Sequence, residues 1–77
     1  MGVTLSELKV GDKGKIIGFK DIDRTFRSKL LSMGLVKGCE FTIKRVAPLG
    51  DPMEIHIRDF NLTLRKDEVN AVVVERI

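Results

Sequence analysis

The sequence has no tryptophan, no tyrosine, one cysteine and one histidine in its 77 residues. A single cysteine cannot form a disulfide within the chain, which is consistent with a reducing compartment. The longest uncharged apolar run, Ala71 to Val74, is much shorter than the ~20 residues that cross a bilayer. No apolar targeting segment precedes the first predicted element. We therefore expect one small cytoplasmic domain over residues 1–77.

Catalytic groups are scarce. His56 alternates with Glu54 and Arg58 in a predicted strand, so its imidazole is expected on the solvated face. Cys39 follows Gly38 at a predicted turn and has no histidine beside it, which favours an unreactive, half-buried thiol. The chain has no glycine-rich phosphate loop and no paired carboxylates at a spacing suited to acid-base catalysis. We predict a non-enzymatic protein with no catalytic residue and no cofactor.

Metal ligation has equally weak support. Structural zinc sites use pairs of cysteine or histidine ligands a few residues apart, and this chain has only one residue of each type. Ligation by Cys39, His56 and nearby carboxylates would depend on the tertiary fold bringing them together. We predict no metal ligand.

The charge balance is mildly basic, with 14 Lys and Arg residues against 11 Asp and Glu residues. The two signs are interleaved, a pattern that suits an anionic neighbour without requiring nucleic acid. Single-strand binders place stacking aromatic rings on exposed strand faces, whereas Phe41 and Phe60 are predicted to face the core. We therefore expect no nucleic-acid partner.

Alternating apolar and polar residues predict about five short strands in a mainly β domain. Many short strands at close spacing favour a small barrel, because closure removes exposed edges. The predicted strands are Lys15–Ile22, Glu40–Val46, Met53–Arg58, Phe60–Leu64 and Ala71–Ile77.

A short helix interrupts this pattern between the first and second predicted strands. Phe26, Leu30 and Met33 recur at helical spacing, which predicts a helix over residues 25–33. Gly34 stands where a left-handed residue ends a helix, and Leu35 can fold back on the last turn. The period therefore predicts a helical insertion in the barrel.

Two adjacent leucines on this helix, Leu30 and Leu31, cannot both point at one core. Core is the favoured position for Leu30 and Met33, and Leu31 is the better candidate for a partner contact. Arg27 and Lys29 would give such a contact a charged rim.

A second candidate contact is the turn Ala47-Pro48-Leu49-Gly50-Asp51-Pro52. Pro48 fixes φ at the second turn position and Gly50 supplies backbone freedom at its end. Leu49 is then held on a stiff tip, where binding costs little ordering entropy. The alternative is that Leu49 caps the barrel end against Leu30 or Leu35.

Several segments together resemble the FeoA family. They are R-x-x-L-L-x-M-G-L over residues 27–35, then Gly38, then A-P-L-G-D-P over residues 47–52, and L-R-x-x-E over residues 64–68. The resemblance extends over nearly the whole chain, beginning with T-L-S-E-L at residues 4–8.

The resemblance implies an SH3-like barrel with a helical insertion, similar to the C-terminal domain of diphtheria-toxin-repressor-type metal regulators. It also implies a partner, the membrane Fe(II) transporter FeoB, whose cytoplasmic part is a GTP-binding domain. The chain would then work in the cytoplasm, at the inner face of the membrane when bound. The resemblance leaves open whether it activates, scaffolds or regulates the GTPase, and whether it self-associates.

The leading hypothesis is a non-enzymatic adaptor of bacterial ferrous iron uptake. The alternatives are an SH3-like regulatory domain that responds to a metal or a regulator and, less favoured, a small basic nucleic-acid-binding barrel. The predicted partner-binding residues are Arg27, Leu30, Leu31, Met33, Gly34, Leu35, Pro48, Leu49, Gly50, Asp51 and Pro52.

Overall fold

Six strands and two helices make up the fold in the computed structural model, which describes residues 2–20 and 22–77. A 3₁₀ turn at Leu5–Glu7 follows the first strand. Asp21, within the first predicted strand, lies outside the described residues. The strands are β1 Val3–Thr4, β2 Lys13–Phe19, β3 Glu40–Val46, β4 Met53–Ile57, β5 Phe60–Leu64 and β6 Val72–Arg76, and the helices are α1 Arg24–Ser32 and α2 Lys66–Ala71.

The strands form one antiparallel sheet in the order β1-β6-β2-β3-β4-β5. Within the described residues β1 and β5 are the two edges and do not pair, so the predicted barrel of about five strands is corrected to an open six-stranded sheet. The chain leaves β5 for α2 before it returns in β6, and α2 packs against the 3₁₀ turn at that end of the sheet.

The helical insertion lies between β2 and β3, rather than between the first and second strands. The two-residue β1 accounts for the difference, because Val3 and Thr4 are too few to give an alternating pattern. β1 is a strand only because it pairs with β6, at Val3 with Val74 and Thr4 with Val73.

The inward faces of β3, β4 and β6 form most of the strand part of the core, as the period-two pattern predicts. Buried residues of the helices and connecting segments complete it. Each fully buried Leu, Ile or Val contributes roughly 1.5–3 kcal/mol relative to exposure. Phe60 departs from the pattern. It pairs with the buried Ile57 at the corner where edge strand β5 begins, and it is 41% exposed. The buried strand side chains include Phe41, Ile43, Met53, Ile55, Ile57, Val72 and Val74.

Helices α1 and α2 are both much shorter than a membrane-spanning helix. Among residues 2–20 and 22–77, none of the helices combines the length and the apolar content that a bilayer crossing requires.

Candidate partner-binding surface

Helix α1 separates its two adjacent leucines between the core and the surface. Asp23 caps the helix, because its carboxylate accepts a 2.7 Å hydrogen bond from the backbone N–H of Phe26. Leu30 is fully buried, while Leu31 is 41% exposed. The orientation expected from the spacing is confirmed for both. Leu30 therefore packs α1 onto the core and is not accessible to a partner.

The C-terminus of α1 turns the chain back into the core. Gly34 has φ +99°, its N–H donates to the carbonyl of Leu31, and the N–H of Leu35 donates to the carbonyl of Leu30. This pair of bonds is a Schellman motif, which brings the residue after the glycine against the last helical turn. Leu35 is consequently fully buried, so its expected position on the partner-facing surface is wrong. Met33 is half-buried beside it.

A glycine is required at position 34 for a second reason. A Cβ atom there would lie 2.9 Å from Cζ of Phe60. The exposed edge-strand ring therefore packs directly on the backbone at the end of α1. Gly34 serves to seat the insertion on β5, and a side chain at this position would push the two apart.

Beside Leu31 lies an open cleft of about 460 Å³ between α1 and the end of β2. We call it the α1–β2 groove. Arg27 lies one helical turn before Leu31, so the two side chains are neighbours on the same face of α1. The groove is lined by Ile17, Gly18, Phe19, Lys20, Ile22, Arg27, Leu31 and Lys37.

The turn at residues 47–52, here the β3–β4 turn, is tightly hydrogen-bonded. The N–H of Gly50 donates to the carbonyl of Ala47 at 2.7 Å, which places Pro48 at the second position as predicted. The N–H of Ala47 in turn donates to the carbonyl of Pro52 at 3.1 Å. Gly50 has φ +81°, and the peptide bond before Pro52 is cis.

Leu49 is 94% exposed on this turn. The alternative that it caps a barrel end against Leu30 or Leu35 is therefore wrong. The side chain borders a small cleft of about 180 Å³ whose lining includes Leu8, Met53 and Val69. An almost bare leucine beside a partly apolar cleft can contribute its whole side-chain area to a contact.

Helix α2 is bonded to both regions. Its first amide, the N–H of Lys66, donates at 3.0 Å to Oδ1 of Asp51 in the β3–β4 turn. Glu68, whose side chain is 5% exposed, lies 3.0 Å from Nζ of Lys29 on α1 and accepts a 2.8 Å bond from the N–H of Arg65. These contacts fix the turn and the insertion to one common element.

The predictions placed Lys29 only at the charged rim beside Leu31 and did not name Glu68 as a site residue. The signal for Glu68 was its place three residues after Arg65, where a carboxylate can reach back to the first amide of a helix. Its bond to Lys29 has no sequence signal, because the two residues come together only through the fold. Lys20 and Lys37 were missed as groove residues for the same reason.

The polar groups considered for chemistry are separate and already bonded. Nη2 of Arg58 donates to Sγ of Cys39 at 3.2 Å, and Nδ1 of His56 lies 2.8 Å from Oδ1 of Asn61. Over residues 2–20 and 22–77, no group of three or more His, Cys, Asp and Glu side chains is arranged to hold a metal ion. The candidate site is therefore the two surfaces that carry Leu31 and Leu49, whose elements are both bonded to α2.

Comparison with known proteins extends over nearly the whole chain. A fusion protein of Fe(2+) transport protein A and Fe(2+) transporter FeoB from Porphyromonas gingivalis is 38% identical over 73 residues. The match covers 95% of this chain, and the chain spans 8% of that relative's length. The match therefore leaves only a few residues of this chain uncovered.

Solved structures agree in fold. The NMR structure of a FeoA-like protein from Clostridium acetobutylicum superposes with a TM-score of 0.88 at 37% identity, over 99% of this chain and 87% of the other. Stenotrophomonas maltophilia FeoA, a prokaryotic SH3 domain protein crystallised with zinc, gives a TM-score of 0.80 at 28% identity, over 95% and 89%. The fold is therefore SH3-like.

The FeoA domain model matches residues 3–76, which include both surfaces and helix α2. Taken with the relatives and the shared fold, this match shows that the chain belongs to the FeoA family.

Proposed function

We propose that this chain is an accessory domain of bacterial ferrous iron uptake that acts by binding the cytoplasmic GTP-binding region of the transporter FeoB. The observation that carries the proposal is Leu49, which is 94% exposed on a hydrogen-bonded turn. A relative in which the two proteins form one polypeptide supports FeoB as the partner. In this role the chain works in the cytoplasm, at the inner face of the membrane.

The physical argument concerns what an exposed leucine on a fixed turn can offer. Burying one leucine side chain is worth roughly 1.5–3 kcal/mol. The turn is already ordered by its own hydrogen bonds, so binding loses little backbone entropy and most of this free energy remains. Pro48, Gly50 and Pro52 then act by holding the turn, and Asp51 by bonding it to α2.

Leu31 and Arg27 form the second contact in this proposal. The remaining predicted residues of this region support it from within: Leu30 and Leu35 are buried, and Gly34 seats the end of α1 on Phe60. A partner would therefore contact Leu31 beside the groove and Leu49 on the β3–β4 turn. The proposed role requires no catalytic group on this chain.

The direct test is capture of the purified cytoplasmic region of FeoB, with GTP, with GDP and without nucleotide. Leu49→Asp and Leu31→Asp place a charge where the proposal places an apolar contact. Each is expected to weaken capture by roughly tenfold or more, because an unpaired charge would be buried in the contact. Comparing the amount captured with GTP, with GDP and without nucleotide tells whether the contact changes during the GTPase cycle.

Val10→Asp is the matched control. Val10 is 60% exposed and lies outside both clefts, so the same chemical change there should leave capture unchanged. Folding of each variant is checked by circular dichroism and thermal unfolding. Wild-type capture by folded Leu49→Asp and Leu31→Asp variants would reject these leucines as the contact.

A further inference from the structure

The α1–β2 groove combines apolar and cationic side chains in one lining. Leu31, Ile22 and Phe19 supply apolar surface, and the three charged residues among its described lining are all cations: Lys20, Arg27 and Lys37. A groove that served only to expose apolar surface would not need charges of one sign around it. The combination indicates a ligand with carboxylates beside an apolar group.

The three cations come from three different segments. Lys20 follows the end of β2, Arg27 is on α1, and Lys37 follows the Schellman turn. The tertiary fold, rather than a local run of basic sequence, therefore brings them to one groove. This arrangement differs from an unstructured basic patch, whose charges adjoin one another along the chain.

Two cations elsewhere on the surface have carboxylate partners. Lys29 lies 3.0 Å from Glu68, and Arg76 lies 3.8 Å from Asp12. Over residues 2–20 and 22–77, the three groove cations make no such ion pair within 4.0 Å. Among the described residues, therefore, no ion pair has to break before these three charges meet a ligand.

We propose that the α1–β2 groove binds an acidic amphipathic segment of the partner, with an apolar side chain against Leu31 and flanking carboxylates on the three cations. This inference rests on the proposed function and assigns the segment to the transporter's cytoplasmic region. Nucleic acid fits less well, because base stacking needs exposed aromatic rings and Phe19, the one ring in the described lining, is half-buried.

Binding through this groove should be weak and salt-dependent. The apolar anchor contributes about as much as one buried leucine, and each exposed ion pair adds only about 0.2–1 kcal/mol. Electrostatic attraction mainly raises the association rate and selects against basic partners. Discrimination by charge is therefore the property to measure.

The test uses fluorescence anisotropy with a short labelled peptide in which glutamates alternate with leucines. A peptide with lysine in place of each glutamate has the same apolar content and the opposite charge. The groove variant carries Arg27→Glu and Lys37→Glu. The control variant carries Lys9→Glu and Lys44→Glu, an equal change of net charge at exposed positions outside the groove.

The proposal predicts that the acidic peptide binds wild type at least about tenfold more tightly than the basic peptide. It also predicts a loss of roughly tenfold in the groove variant and little change in the control variant. Methyl NMR should place the acidic peptide's largest shifts at Leu31 and Ile22. An equal loss in both variants, or equal binding of the two peptides, would overturn it.

Three further outcomes would also overturn the proposal: tighter binding of single-stranded DNA, tighter binding of anionic vesicles, or dimers dissociated by Arg27→Glu with Lys37→Glu. Failure of the proposed function is separately visible. If the transporter region is still captured through Leu49 while the acidic peptide fails to bind the groove, only this inference is lost. If the peptide binds but the transporter region is never captured, the groove still binds acidic segments, but its assignment to FeoB is wrong.

Discussion

The two exposed leucines are presented by different structures. Leu31 stands on a helix beside a concave, cation-lined groove and is 41% exposed, whereas Leu49 stands on a convex turn and is 94% exposed. The first position follows from helical spacing, which sends its neighbour Leu30 inward. The second follows from a proline-glycine turn whose own hydrogen bonds hold the tip away from the core.

The difference suggests separate tasks for the two regions. A charged groove can select a ligand by the sign of its charge and by its shape. An isolated apolar tip contributes buried contact area but little selectivity. Helix α2 holds both in place through Asp51 on one side and Glu68 on the other. A partner that contacts both regions would therefore bind two surfaces that are linked through the same helix.

The largest expected effect separates buried from exposed leucines. Leu35→Ala should lower the free energy of unfolding by about 2–5 kcal/mol, because it leaves a cavity under the end of α1. Leu49→Ala should change it by less than about 0.5 kcal/mol, since the side chain is almost wholly in solvent. Urea unfolding of both variants measures the difference. Similar values would contradict the assignment of Leu35 to the core and Leu49 to the surface.

A smaller effect is expected at the glycine that ends α1. Gly34→Ala forces a residue with Cβ to φ +99° and places that atom 2.9 Å from the Phe60 ring, so a loss of roughly 1–3 kcal/mol is expected. Gly11→Ala is the control. Gly11 has φ +93° but nothing lies within 4 Å of its Cβ position, so only the backbone strain applies. Thermal unfolding should show Gly34→Ala as the less stable variant, and the reverse order would contradict seating on Phe60.

The smallest effect concerns the bond between α1 and α2. Glu68→Ala removes both the cap on the Arg65 amide and the partner of Lys29, and should cost about 1 kcal/mol. Glu68→Gln keeps a capping oxygen and loses only the charge. Because Lys29 is largely exposed, that charge is worth at most a few tenths of a kcal/mol. Equal destabilisation by Ala and Gln would show that the ion pair, rather than the cap, matters.

Much of the fold could be predicted from local patterns. β3 and β5 have the predicted bounds, the helix is displaced by one residue, and the glycine at its end has the expected left-handed conformation. Strand alternation and helix-ending signals depend only on residues close together in the chain, so a single sequence is enough to predict them. The exposure of Leu49 could also be anticipated, because the turn chemistry is local.

The remaining features depend on contacts between distant segments. β1 exists through pairing with β6, and the open sheet follows from the path of the chain through α2. Leu35 was expected on the surface, although the same Schellman motif that was predicted also turns it inward. The groove cations could not be grouped, since Lys20, Arg27 and Lys37 have no shared motif.

The most direct test of the central claim is methyl NMR of the labelled chain titrated with the cytoplasmic region of FeoB. The account predicts that the largest shifts and line broadening occur at the methyl groups of Leu31 and Leu49, with Val10 unchanged. The contradictory result is a footprint on the outer strand face around His56 and Asn61, with the two leucines unaffected.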